Sequence, residues 1–148
     1  MPDTNAPLPP PIDAFLRRHR RAYLFVRAAD GSARGWPLTA FHAPGRLWFT
    51  TYAKSPKMTH VGAAARGTVA VLTDEGATPV SYVVVDGALR VRQMTPDLVE
   101  FVMAARPDDV RRNEATEARY RRALTAGKRV VIEVALDRAE HFTVPDRS

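Results

Sequence analysis

The sequence contains no cysteine, which excludes disulfides, thiolate metal sites and a cysteine nucleophile. That lack fits a reducing compartment. No stretch approaches the roughly 20 consecutive apolar residues of a membrane-spanning helix. The first residues, Met1 to Pro11, hold Asp3 and several prolines where a secretion signal would hold an apolar run. The expectation is a cytoplasmic protein. The glycine pattern of a Walker or dinucleotide loop is missing. So are a Gly-x-Ser-x-Gly elbow and any visible Ser-His-Asp set. His19, His42, His60 and His141 are scattered, and no pair has the one-turn spacing that brings two ligands onto one helix face, so no metal site is expected.

What is present is the making of one soluble domain. The chain has 148 residues, enough to bury a core, and its 45% hydrophobic and 26% charged content is ordinary for a globular protein. Basic residues outnumber acidic ones by 22 to 16, and nearly all of them are arginine. An arginine excess favours an anionic partner: nucleic acid, an acidic membrane or a phosphorylated cofactor. It can equally reflect codon bias.

Residues 1–11 read as a disordered or extended lead-in, and residues 12–148 as the folded domain. Ile12 to Arg21 suits a short helix with Ile12, Phe15 and Leu16 on one face. Tyr23–Val26, Trp36–His42 and Arg46–Thr51 are short β-prone runs joined at Asp30-Gly31 and Ala43-Pro-Gly45. Ser55-Pro56 predicts a helix to about Ala65, with serine as cap and proline in the first turn. Thr68–Thr73 and Val80–Gln93 follow as strands, and Gly87 inside the second marks a bulge or a sharp barrel bend. Thr95-Pro96 opens another helix, ended by Pro107, and Glu114–Ala126 a further one. Lys128–Leu136 is the final strand, with Phe142 and Val144 extending it after a break. Six strands with short connections predict a mainly β fold, an antiparallel sheet or barrel with flanking helices.

The stretch that carries chemistry is Trp48-Phe-Thr-Thr-Tyr-Ala-Lys-Ser-Pro-Lys57. A strand ending in Thr50 and Thr51 runs into a loop with Lys54, then into a helix start with Ser55 and Lys57. Unpaired N–H groups at a helix start, a lysine and three hydroxyls suit a phosphate. Taken alone, Ser-Pro is a common helix opening and a lysine beside it is usually solvated.

The ordered set Trp36-Pro-Leu-Thr39, Gly45-Arg-Leu-Trp-Phe-Thr-Thr51, Ser55-Pro-Lys57, Thr68-Val-Ala-Val-Leu72 and Tyr82-Val-Val-Val-Asp-Gly-Ala-Leu-Arg-Val91 resembles the pyridoxamine 5′-phosphate oxidase-like, FMN-binding split-barrel superfamily. The resemblance runs from about Phe15 to Phe142. It implies a six-stranded split β-barrel and a homodimer with a cofactor in each interface groove. It implies that Ser55 and Lys57 grip the cofactor phosphate, that Thr50 and Thr51 meet the phosphate or ribityl chain, and that Pro37, Leu38, Thr39 and Ala40 run beneath the ring. Tyr82 falls where some members place a contact from the other subunit. The chain also departs from the true oxidases. Its second strand lacks their basic residues, Pro56 stands in the middle of the phosphate motif, and the C-terminal Trp and Arg segment has no counterpart. The resemblance therefore implies an oxidoreductase using FMN, or the deazaflavin F420 as cosubstrate, on a small organic molecule, and not a true pyridoxamine 5′-phosphate oxidase. The apolar second strand and the arginine cluster lean slightly toward F420.

The alternative is a non-catalytic flavin-binding protein, or a cofactor-free barrel serving as an interaction or stress module. Arg17-Arg-His-Arg-Arg21 reads as a solvated helix face, or as a contact for nucleic acid, membrane or the acidic tail of a deazaflavin. Without interleaved aromatics, nucleic acid is disfavoured. Trp36 and Trp48 are expected on neighbouring strands, packed in the barrel, and the late arginines in ion pairs within their helices.

Overall fold

A computed structural model describes residues 8–106, 111 and 113–145. Much of the lead-in, and Pro107 as a helix stop, lie outside the described residues. Helix α1 spans Pro10–Arg18, opening two residues earlier than expected. Prolines suit a first turn, whose N–H groups have no partner in any case. The helix buries Ile12, Phe15 and Leu16 and ends before His19, which is extended. The chain thus leaves the helix in the middle of the basic cluster, and Arg17–Arg21 is not one helix face. Arg17 Nε donates to Asp13 Oδ2 at 2.8 Å, while Arg21 already opens a strand.

The strands are β1 Arg21–Arg27, β2 Ala33–Thr39, β3 Phe41–Ala43, β4 Arg46–Tyr52, β5 Arg66–Leu72, β6 Ser81–Gln93, β7 Arg129–Ala135 and β8 Arg138–Thr143. They form an antiparallel sheet in the order β2-β1-β5-β6-β7-β4-β3, with β8 added to β6. The fold is the expected mainly β barrel with flanking helices, but eight strands replace the predicted six. The two extra strands have separate causes. Trp36–His42 is broken at Ala40, whose side chain enters the core and whose N–H donates to Arg20 O at 2.8 Å. After Asp137 the chain reverses and β8 pairs with β6 in its own right.

The barrel closes through β6. Its first half pairs with β5 and β8, and Leu89–Gln93 pairs with β7. The β5 register runs without interruption through Gly67 and Gly87, so Gly87 marks the bend and not a bulge. There the chain passes so close to β7 that a Cβ would lie 1.8 Å from Ala135 O. The barrel remains split between β2 and β3, which each pair on one side only.

Alternation sorts the side chains of β4 and β7. Leu47, Phe49, Ile132 and Val134 face the barrel core with Leu24, Val69 and Val85. Trp48 and Val131 face outward into a second core, covered by α3 Pro96–Ala105 and α4 Glu114–Thr125 through Leu98, Val102 and Leu124. This cover explains why β7 is buried on both faces although Glu133 sits in it; that carboxylate accepts from Arg92 Nη1 at 3.0 Å. It also separates the tryptophans, which are not on neighbouring strands. Trp48 packs against Phe41 and Phe101 in the second core, while Trp36 stacks on the His60 ring at 6.1 Å and packs against the barrel core. Among the described residues, ion pairs of the late helices run between helices, as in Arg106 to Glu117 and Arg121 to Glu100. Thr95 caps α3 by accepting from Leu98 N.

Two histidines make the fold pH-sensitive. His42 Nε2 lies 3.0 Å from Asp13 Oδ1 with its side chain nearly enclosed. Burial pushes its pKa below 6.5 and the Arg17 charge pushes the same way, with Asp13 opposing. His19, against the Phe15 ring, is lowered by burial. Both therefore take up a proton more readily in the unfolded chain. Their contribution to stability is fully present above 6.5 and is lost as the pH falls through the lower folded values. The urea midpoint should be lower at about pH 5.5 than at about pH 7.5. His42→Gln should reduce that difference; an equal difference in the variant would clear His42 of the effect.

Candidate functional site

The loop after β4 turns back on itself instead of entering a long helix. Met58 N donates to Ser55 O at 3.0 Å, and α2 spans only Met58–Val61, with Lys57 at its cap position. The Ser55 side chain does not cap it. The expected helix from Ser55-Pro56 to Ala65 is thus a turn followed by one helical turn, and the phosphate argument cannot rest on a helix start. What replaces it is a side-chain cluster. Lys57 Nζ donates to Thr51 Oγ1 and to Ser55 Oγ, both at 2.9 Å. Thr51 is 5% exposed and fixed on β4 opposite Val130, so the ammonium is held against a rigid strand.

These residues fit a phosphate. Among the described residues no carboxylate pairs with Lys57. An ammonium has three donors, two of which are used here, and both hydroxyls keep a proton to donate.

Thr50 does not join this cluster. Neighbouring strand residues point to opposite faces, and Thr50 Oγ1 lies 3.2 Å from Tyr120 Oη and accepts from Arg129 Nη1 at 3.3 Å. It sits in a cleft of about 470 Å³ at the split of the barrel. Pro37, Leu38 and Thr39 from the free edge of β2 and Phe41 from β3 form one side. Thr50 and Arg129 come from the paired strands β4 and β7, and Arg106 and Tyr120 from the helix pair. The Arg106 guanidinium lies 4.1 Å from the Tyr120 ring centroid and pairs with Glu117 at 2.6 Å. Ala40 does not line the cleft; it is 1% exposed and part of the core. Tyr82 lies outside it too, stacked on Phe142 at 5.1 Å across the β6–β8 pairing.

The structure thus divides the nine predicted site residues. Thr51, Ser55 and Lys57 converge, Pro37, Leu38, Thr39 and Thr50 share the cleft, and Ala40 and Tyr82 stand apart within one chain. Sequence reasoning missed Arg106, Tyr120 and Arg129. Tyr120 carried a faint signal, being the one aromatic in α4. Arg129 carried none, because its place beside Thr50 depends on the β4–β7 register.

By sequence the chain matches no known family profile and no curated protein. By structure it is similar to a conserved hypothetical protein from Mycobacterium tuberculosis at 15% identity and TM-score 0.69, covering 100% of this chain and 96% of that one. It is similar to a putative pyridoxamine 5′-phosphate oxidase from Listeria innocua at 16% identity and TM-score 0.61, covering 87% and 93%. It is similar to an F420 reductase at 17% identity and TM-score 0.62, covering 90% and 98%. The barrel, its split and its flanking helices define a split β-barrel protein. More particularly, the fold is the one seen in pyridoxamine 5′-phosphate oxidase-like proteins and in the F420 reductase.

Proposed function

We propose that this chain is an oxidoreductase that binds FMN, or F420 as cosubstrate, in a groove shared by two copies. The observation that carries the reading is Lys57, held by two hydroxyls with no carboxylate partner among the described residues. Lys57, Ser55 and Thr51 would hold the cofactor phosphate. The free edge at Pro37, Leu38 and Thr39 would meet the ring, with Ala40 anchoring that edge to the core. Bound there, a flavin or deazaflavin supplies the ring that accepts or donates hydride, and the protein supplies binding and orientation. The homodimer is supported by an outward sheet face bearing Tyr23, Phe25, Tyr82 and Phe142, of which Phe25 and Phe142 are each 39% exposed. Tyr82 would reach the cofactor of the second copy from this face.

Titration of the purified protein with FMN and then with F420, followed by fluorescence quenching, tests the reading. Lys57→Ala should weaken binding by about 1.5–3 kcal/mol, the contribution of a charged hydrogen bond. Equal affinity in Lys57→Ala would remove the phosphate assignment. Absence of micromolar binding of either cofactor to the native protein would remove the function.

A further inference from the structure

The Arg129 side of the cleft calls for an anion of its own. Arg129 opens β7 directly opposite Tyr52, and its guanidinium lies 4.3 Å from the Tyr52 ring centroid and 5.9 Å from that of Tyr120. Stacking of this kind fixes the plane of a guanidinium. One of its five donors reaches Thr50 Oγ1 at 3.3 Å, and among the described residues the others are left for a ligand. Thr50 is tied in turn to Tyr120 Oη at 3.2 Å, so three polar groups from β4, β7 and α4 are mutually positioned. Among the described residues Arg129 has no carboxylate partner, whereas neighbouring Arg106 is paired with Glu117. Lys57 cannot neutralise the same anion in the same way, because its partner Thr51 points to the opposite face of β4 from Thr50.

The cleft combines these polar groups, Thr39 and the Glu117-paired Arg106 with an apolar portion. Pro37, Leu38 and Phe41 line it, and its volume of about 470 Å³ exceeds what a bare inorganic ion fills. A planar fork of donors beside an apolar wall matches a carboxylate carried on a flat, apolar body.

We propose that Arg129, with Thr50 and Tyr120, is a binding site for a small aromatic carboxylate, separate from the Lys57 cluster. The site rests on the cleft geometry and does not require the cofactor reading, although Pro37 and Leu38, proposed above to meet the ring, line this cleft too. In an oxidoreductase it would select the substrate class.

Benzoate, benzamide and inorganic phosphate serve as probes, with binding to the full chain followed by calorimetry and by NMR of the backbone amides. Benzoate should bind at millimolar concentration or below and shift the amides of β4 and β7, and benzamide should not. Arg129→Gln should weaken benzoate by about 10- to 100-fold, the range for a charged hydrogen bond. Thr50→Val, which keeps the shape, should weaken it by a smaller factor, and Lys57→Ala should leave it unchanged. Because Arg129→Gln also removes the stack on Tyr52, Arg129→Lys provides a second variant that keeps the charge and loses the fork, and it should also bind benzoate more weakly. Native affinity in both Arg129 variants would overturn the site. So would benzamide binding as tightly as benzoate, phosphate competing as well as benzoate, or no benzoate binding to the native protein. Loss of FMN binding in Lys57→Ala with benzoate binding intact would separate this site from the phosphate cluster, and benzoate binding that persists when FMN does not bind at all would overturn the cofactor reading and support this site.

Discussion

Gly87→Ala should destabilise the fold by roughly 4 kcal/mol or more, at the extreme end for a single substitution. The added methyl would lie 1.8 Å from Ala135 O, 2.6 Å from Ala135 C and 3.1 Å from Ala135 Cα. All three atoms are backbone, in a strand whose other edge is paired with β4, so none can rotate aside. Relief requires β6 and β7 to separate at the point where β6 leaves one half of the barrel for the other. A domain of this size has a total stability of only about 5–15 kcal/mol, so the soluble yield should fall along with the urea midpoint. Gly45→Ala is the matched control. Gly45 has a φ of +78° in the β3–β4 turn, but a methyl there meets nothing within 4 Å. Its penalty is conformational alone, about 1–2 kcal/mol. If the two variants unfolded at the same denaturant concentration, the close crossing of β6 over β7 would be wrong.

The same glycine shows what could be read in the sequence. A glycine inside a run of valines announces a place where a side chain is not tolerated, and the barrel bend was legible for that reason. Strand identity was legible wherever β-branched residues crowd between turn residues, as in Val83–Val85 and Val130–Val134. The loop from Ser55 to Ala65 was misread because Ser-Pro is a local signal, while the chain there is set by the distant demand that Lys57 fold back onto Thr51. Val61 and not a long amphipathic face anchors that segment. The break at Ala40 was invisible, since Trp36–His42 is uniformly β-prone and only the bond to Arg20 O and burial of the alanine interrupt it. In the candidate site, local proximity in the chain found Thr51, Ser55 and Lys57. It could not find Arg129 or Tyr120, which are brought to Thr50 over 79 and 70 residues by strand register and helix docking.

Trp48→Ala should cost about 3–5 kcal/mol, the range for truncating a buried aromatic, and it should do so by loosening the second core and not the barrel. The Trp48 side chain is fully enclosed between Phe41, at a ring distance of 4.7 Å, and Phe101 of α3, at 5.6 Å. It is the largest residue that β4 offers to the helix pair, so its removal leaves α3 and α4 resting on Val131, Ala43 and Phe41 from the sheet. Trp48→Phe separates packing from polarity. The indole Nε1 is buried without a hydrogen-bond partner among the described residues. A buried donor left unpaired carries a penalty of about 1–3 kcal/mol, and phenylalanine removes that donor while keeping most of the ring. The loss of volume and the loss of the unpaired donor then oppose each other, and Trp48→Phe should unfold within about 1 kcal/mol of the native protein. A phenylalanine variant as unstable as the alanine variant would mean that the indole nitrogen has a partner after all. The two substitutions should also differ at the cleft. Trp48 and Thr50 share one face of β4, and Tyr120 and Arg106 reach Thr50's surroundings from the helices that Trp48 anchors. Amide shifts of β4 and α4 in Trp48→Ala should therefore extend to Thr50 and Tyr120, while Thr51 and Lys57, on the barrel side of the strand, keep their native positions. Disturbance of Lys57 as large as that of Tyr120 would show that the two faces of β4 do not hold their sites independently.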